Sequence, residues 1–318
     1  MSDLGTSAVT GPEAETGGFE TEIGGSAPGP VISERKQARR ESWRLIRRRP
    51  SFIIGSAIVS IWVVCAILGN RITPHHPLDF RAKDSSGLPA LHLSPRAAFP
   101  FGTDATGRDV LSRVMAGARD VLKIAPMAAI LGVLLGVIVG MIMGYLGGWV
   151  DLVLSRIVEA FLALPVVLIA LLAITTLGRS DWVVVGVVAV LFTPVVARTV
   201  RSAVLAERDL DYVTSARLRG ETGRFVMFRE ILPNVSGPII VELTVRIGYA
   251  VFTVATLSFL GAGPPPPSPD WGAQVSEGFR VLGAGIWWTT LFPALAIASL
   301  VIAVNLIADS VQSVLDAS

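Results

Sequence analysis

Six apolar runs, each close to the length of a bilayer crossing, restrict this chain more than any other feature of its 318 residues. They fall at about 52–69, 124–147, 157–177, 182–200, 238–261 and 286–308. A helix of about 20 apolar residues covers the hydrocarbon thickness. No water reaches the backbone there, so only helices or closed barrels can cross, and these runs lack the alternation of barrel strands. The expected fold is an all-α integral membrane protein of six transmembrane helices. Composition agrees, with 52% hydrophobic residues, 16% charged residues and a mean hydropathy of +0.62.

Positive charge orients the bundle. Arg35, Lys36, Arg39, Arg40, Arg44, Arg47, Arg48 and Arg49 precede the first run, and such clusters stay in the cytoplasm. Six crossings then bring both termini to the cytoplasmic side of a multi-pass cell-membrane protein. Residues 1–34 carry six acidic side chains and no Lys or Arg, amid Gly, Ser, Thr and Pro. That composition cannot bury enough apolar surface to order itself, so a disordered cytoplasmic tail is expected. Residues 35–51 form the basic cytoplasmic segment and 52–318 the transmembrane domain. An external loop is expected at about 70–123 and a cytoplasmic one at about 203–235. The first run begins too deep in the chain for a signal peptide.

Several functional classes are disfavoured. The single cysteine, Cys65, sits inside the first run and supports no disulfide framework. His75, His76 and His92 share no metal-ligand spacing. A net charge of +2, with the basic residues accounted for by topology, gives no nucleic-acid footprint. The three lysines, Lys36, Lys83 and Lys123, lie outside any phosphate-binding glycine loop, so nucleotide is not held that way. No cofactor and no metal is expected on this chain.

Three ionisable residues fall within the spans: Glu159, Glu242 and Arg246. Glu159 follows Arg156, while Glu242 and Arg246 stand four apart on one helix face and can pair. Pairing, lining of a polar pathway and a proton relay are the readings open to them. Gly132, Gly136, Gly140 and Gly144 repeat every four residues and form a groove for a neighbouring helix, within the bundle or on a second chain. The prolines at 264–267 and 269 stiffen an outer loop, which is expected to present Asp270 and Trp271 at the outer surface. There Trp271 serves as an interface anchor or a contact for an external protein.

Residues 212–234, YVTSARLRGETGRFVMFREILPN, combine properties a plain turn does not need. Arg217, Arg219, Arg224 and Arg229 hold the segment out of lipid. Phe225, Met227, Phe228, Ile231 and Leu232 give it apolar surface suited to a partner. Gly220 breaks its helix, Thr222 caps a second one from about residue 224, and Pro233 is expected to end it. Upstream, residues 101–125 read as an amphipathic helix at the outer interface. Val110, Leu111, Val114, Met115, Ala118, Val121 and Leu122 mark its apolar face, and Arg108, Asp109, Arg113, Arg119 and Asp120 its polar side.

The spacing of Ala216, Gly220 and Leu232-Pro233 resembles the cytoplasmic "EAA" loop of ABC importer permeases. Thr214 and Ser215 stand where that family usually carries Glu and Ala, so its name-giving acidic residue is absent. FGTDATGRDVLSRVMAGARDVLKIA (101–125), LSFLGAGPPPPSPDWGAQVSEG (257–278) and the 286–316 segment are similar to dipeptide and oligopeptide permeases in the same order. Val254 stands where many relatives have glutamate. The resemblance implies a type I ABC importer permease bundle and half of a translocation pathway for di- or oligopeptides. It further implies a second homologous permease, two ATP-binding subunits that carry ATP and Mg, and an extracytoplasmic solute-binding protein. Ser215, Ala216, Gly220, Phe225, Phe228, Leu232 and Pro233 become the expected ATPase-coupling residues. The same architecture importing nickel or another small solute, an ion-coupled secondary transporter, and a non-transporting scaffold or receptor are the alternatives.

Overall fold

The computed structural model describes residues 46, 49–79, 87–88, 90–265 and 267–315. The expected tail, 1–34, and the basic residues from Arg35 to Arg48 lie outside them. Helix α1, Pro50–Leu68, starts on a proline whose missing N–H costs nothing at that position. Helix α2, Val110–Leu146, runs for 37 residues, with the Asp109 carboxylate accepting from the N–H groups of Leu111 and Ser112 at its start. Then come α3, Gly148–Leu162, α4, Val166–Leu177, and α5, Asp181–Glu207, capped by Ser180. Short α6, Asp211–Leu218, leads to a helical stretch built of α7, Gly223–Phe225, a π-turn, Val226–Ile231, and α8, Leu232–Asn234. Helices α9, Ser236–Phe259, α10, Trp271–Phe279, and α11, Trp288–Leu315, complete the described bundle.

Five of these helices are long and apolar enough to cross a membrane, and α3 with α4 passes the same test as a pair. The expected continuous third span is corrected here: α3 and α4 meet at 87°. Pro165 flanks the first turn of α4 with an extended backbone, which ends the preceding helix and redirects the chain.

The glycine repeat is the seam between α2 and α5. A Cβ on Gly132 would meet Ala189 and Phe192, on Gly136 Val196, on Gly140 Ala197 and Val200, and on Gly144 Val204. Contacts therefore climb both helices together, so α2 and α5 run in the same direction. The chain between them must return across the bundle, and the bent α3–α4 pair is the segment that does so. Helix α1 packs on α11 in the opposite sense, with Ser51 beside Ser310 at 3.1 Å and Trp62 Nε1 donating to Ser299 Oγ at 3.0 Å.

The loop before α2 differs most from expectation. Residues 101–109 are turns and bridges, and α2 runs on from Val110 into the bundle with no break between an interfacial helix and the span. Its charges are not a solvated polar face. Asp104 accepts from Arg108 Nε at 2.7 Å and Arg113 Nη1 at 2.6 Å, while Glu277 of α10 accepts from Arg113 at 2.9 Å and Arg108 at 3.2 Å. Arg113 is only 2% exposed, because each carboxylate there is matched by guanidinium donors. His75 is exposed, and its Nδ1 lies 3.2 Å from the buried Asp109 carboxylate.

Asp270 and Trp271 are buried and not displayed outward, at 1% and 0% exposure. The Asp270 carboxylate accepts from Ala273 N at 2.8 Å as the cap of α10. The Trp271 indole donates to the Val114 carbonyl at 2.7 Å and lies against Gly117, where a Cβ would come within 2.6 Å of its ring. Polar atoms satisfied inside the fold leave neither residue free for an external contact.

Candidate functional site

The segment joining α5 to α9 is a helical hairpin locked to the bundle on one face. Gly220, at φ +81°, closes α6 with the paired bonds of a Schellman motif. Its N–H donates to Arg217 O at 3.0 Å, and the Glu221 N–H to Ala216 O at 3.3 Å. Thr222 then caps the next helix by accepting from the Phe225 N–H at 3.3 Å. Both expectations hold.

Pro233 does not end that helix. The chain continues helically through α8 to Asn234 and resumes at Ser236. The π-turn just before it opens the ladder by one residue, which relieves the clash between the proline ring and the carbonyl four residues earlier.

The inner face of the hairpin is apolar and closed. Val213, Ala216, Val226 and Ile231 are fully buried with Val196, Val200 and Val204 of α5 and Met141 of α2. Ile231 is thus core, correcting its place among the exposed apolar residues. Ala216 is likewise buried, so it shapes the hairpin and touches no partner directly. Further ties reinforce this seat. Arg208 Nη1 donates to the Gly144 carbonyl at 3.1 Å, Arg217 lies over the Tyr145 ring at 5.1 Å, and Tyr212 donates to Glu207 at 2.7 Å. Burial, followed by the Glu207 carboxylate, pushes the Tyr212 hydroxyl up to about 12, so it remains a donor at physiological pH.

The outer face is different. Leu218 is 84% exposed and Phe228 52%, with Ser215, Arg217, Arg219, Gly220 and Arg229 exposed around them. Phe225 and Leu232 are half-buried, and Pro233 is exposed. Leu218 was missed in the sequence, although its position four residues from Thr214 and Thr222 places it away from the Val213–Ala216 face. Arg219 Nη2 reaches Glu230 at 3.4 Å across the two arms. Two exposed apolar side chains, with exposed arginines nearby in sequence, are therefore carried on a hairpin packed against α2 and α5.

Two turns into α9, Glu242 accepts from Arg246 Nε at 2.8 Å and from Thr199 Oγ1 of α5 at 2.8 Å. The two charged side chains are 13% and 14% exposed, so pairing holds as expected, with Thr199 as an added third member. Arg246 also lies 5.0 Å from the Tyr249 ring. Glu159 is elsewhere: it is an exposed residue paired with Arg156 at 2.9 Å near the end of α3. Asp151 and Arg201 make a two-point ion pair, at 2.5 and 2.6 Å, tying α3 to α5. Among the described residues, no cluster of His, Cys, Asp or Glu is arranged to hold a metal ion.

Residues 136–318, which contain this hairpin and all that follows it, match the family described as binding-protein-dependent transport system inner membrane component. The chain belongs to that family. The permease is 38% identical over 281 residues to the dipeptide transport system permease protein of Escherichia coli (strain K12), covering 87% of this chain and 92% of that one. It is 37% identical over 278 residues to the glutathione transport system permease protein of Shigella flexneri serotype 5b, covering 87% and 89%. The permease is thus a multi-pass membrane component of a transport system, with the all-helical bundle of a type I ABC permease.

Proposed function

We propose that this permease forms half of the translocation pathway of an ATP-driven importer, carrying peptides delivered by an extracytoplasmic binding protein. The similarity to dipeptide and glutathione permeases supports the substrate class. The other half is a second homologous permease, and two further subunits bind ATP and Mg and perform the hydrolysis. Both termini and the 207–235 hairpin face the cytoplasm, in keeping with the arginine distribution. Residues 1–34 are a cytoplasmic tail and 35–51 a basic cytoplasmic segment.

One observation carries the mechanism: Leu218 and Phe228 stand exposed on a hairpin whose opposite face is sealed to α2 and α5. An ATP-hydrolysing subunit docks there through an apolar contact rimmed by arginine. Ser215, Gly220, Phe225, Phe228, Leu232 and Pro233 form or shape that surface, and Ala216 fixes its backing. Closure of the two ATP-binding subunits displaces the hairpin, and the buried valines pass the displacement to the α2–α5 pair. The bundle then shifts between inward- and outward-open states. Glu242, Arg246 and Thr199 link α5 to α9 and keep those helices moving together. The permease itself performs no covalent chemistry.

Gly220→Arg separates docking from folding. No atom lies within 4 Å of a Cβ at Gly220, so the substitution adds a bulky cation to the docking face at the cost of left-handed backbone strain, roughly 1–2 kcal/mol. Expected are normal membrane insertion, loss of copurifying ATPase and loss of ATP-driven dipeptide uptake. Uptake at the wild-type rate in this variant, or uptake driven by an ion gradient without ATP, contradicts the proposal.

A further inference from the structure

Between α1, α2, α9 and α11 lies a cavity of about 550 Å³, within the range that holds small ligands. Val63, Ile67, Leu122, Val251 and Leu300 are among the side chains that make its walls apolar. Pro126 lies in one wall, where it removes a rung from the α2 ladder. A second cavity of about 410 Å³ adjoins the first and shares Ala66, Ile67 and Arg119 with it. This one is polar, with Arg71, His76, Arg119 and Asp120 on its lining. Lys123 stands at the boundary but is engaged by Asp181 at 2.8 Å.

Arg71 and Arg119 have no salt-bridge partner among the described residues, and they outnumber the Asp120 carboxylate in the polar cavity. Fully apolar grooves admit any acyl chain. Here, the apolar groove opens into a cup with two guanidinium groups, a pairing that matches the two ends of a phospholipid. Each guanidinium can donate two parallel hydrogen bonds to a phosphate, which a lone ammonium cannot. The groove is built from α1 on one side and from α9 and α11 on the other, so an occupant bridges α1 to α9, the helix that bears the Glu242–Arg246 pair.

We propose that this composite groove is a binding site for an anionic glycerophospholipid, with an acyl chain between α1 and α9 and the phosphate on Arg71 and Arg119. The site is separate from the hairpin and does not depend on how the transporter is powered.

The test is native mass spectrometry of the assembled transporter, titrated with phosphatidylglycerol, phosphatidylcholine or a free fatty acid. Wild-type protein is expected to retain phosphatidylglycerol in preference to the other two. Arg71→Gln with Arg119→Gln lowers that retention by about thirtyfold, taking about fivefold per basic residue facing an anionic lipid, and leaves phosphatidylcholine unchanged. Both arginines are exposed, so the double variant is expected to assemble normally, which its thermal midpoint checks. Val251→Trp, which fills the apolar half, reduces the binding of both lipids. Equal retention of phosphatidylglycerol and phosphatidylcholine by the wild type, or unchanged phosphatidylglycerol retention in the double glutamine variant, overturns the proposal. So does tighter binding of the free fatty acid, or cross-linking of Val63→Cys, through a photoreactive group attached to its thiol, to a second permease in the assembled transporter.

Discussion

Two buried carboxylates, one in the loop before α2 and one at the start of α10, are shifted in opposite directions. Burial raises the Asp270 carboxyl to about 6, and the N–H of Ala273 and the Ser258 hydroxyl only partly offset it. Burial also acts to raise Asp104, but Arg113 and Arg108 overcome it and hold that carboxyl below the usual carboxylate range. Between about pH 4 and 6 the folded state keeps a proton on Asp270 that the unfolded state has released. Stability from this group therefore falls as pH rises through that window. Asp104 contributes stability above pH 4, the ordinary carboxylate value being about 3.9, and loses it as pH falls further. Asp270→Asn keeps a competent helix cap and removes the first dependence, so it should stabilise the protein at pH 7.5 by on the order of 2 kcal/mol relative to wild type. Thermal unfolding at pH 5 and 7.5 measures this, and an unchanged pH slope in the variant refutes it. Neither burial was legible in the residues alone. A charged or amphipathic side chain reads as solvent-facing until its partner is known, and Glu277, which pairs with Arg113, and Val114, which pairs with Trp271, lie more than 150 positions from them.

At the scale of elements, local chemistry was legible where it is local. Gly220 and Thr222 act through neighbours within a few residues, so their turn and cap could be read directly. The positions of the spans also followed from apolar length. Hydropathy is blind to direction, however, and so gave no sign of the 87° bend between α3 and α4. Nor does a proline reveal whether a preceding π-turn will accommodate it, as happens at Pro233. The glycine repeat predicted a close helix contact but left its partner open, and α5 is that partner. Gly140→Leu places a side chain where the Ala197 carbonyl would lie 2.6 Å from its Cβ, so the seam must open. A loss of more than about 3 kcal/mol is expected, since backbone cannot move aside as a flexible side chain does. Gly186, also in a membrane helix, has nothing within 4 Å, and Gly186→Ala should stabilise by up to about 1 kcal/mol through helix propensity. Comparison of the thermal midpoints of the two variants checks both signs.

For the whole molecule, the central relation is between a sealed inner face and an open outer face on the same hairpin. Residues of α2 and α5 bury Val213, Ala216, Val226 and Ile231, a seat that suits the lever role proposed for the hairpin. Family membership makes the chain a transport-system component, and under the proposed function the exposed Leu218 and Phe228 are where force would enter. Site-directed cross-linking addresses this most directly, because the lone native cysteine, Cys65, is buried and leaves an introduced thiol as the accessible one. Leu218→Cys and Phe228→Cys, in the assembled transporter, should cross-link through a short reagent to the ATP-hydrolysing subunit, with a yield that changes when nucleotide is added. Leu91→Cys, equally apolar and 53% exposed in the loop before α2, should give no such product. Cross-linking at Leu91 as strong as at the hairpin, or none at Leu218 and Phe228 in a transporter that still imports, contradicts the account.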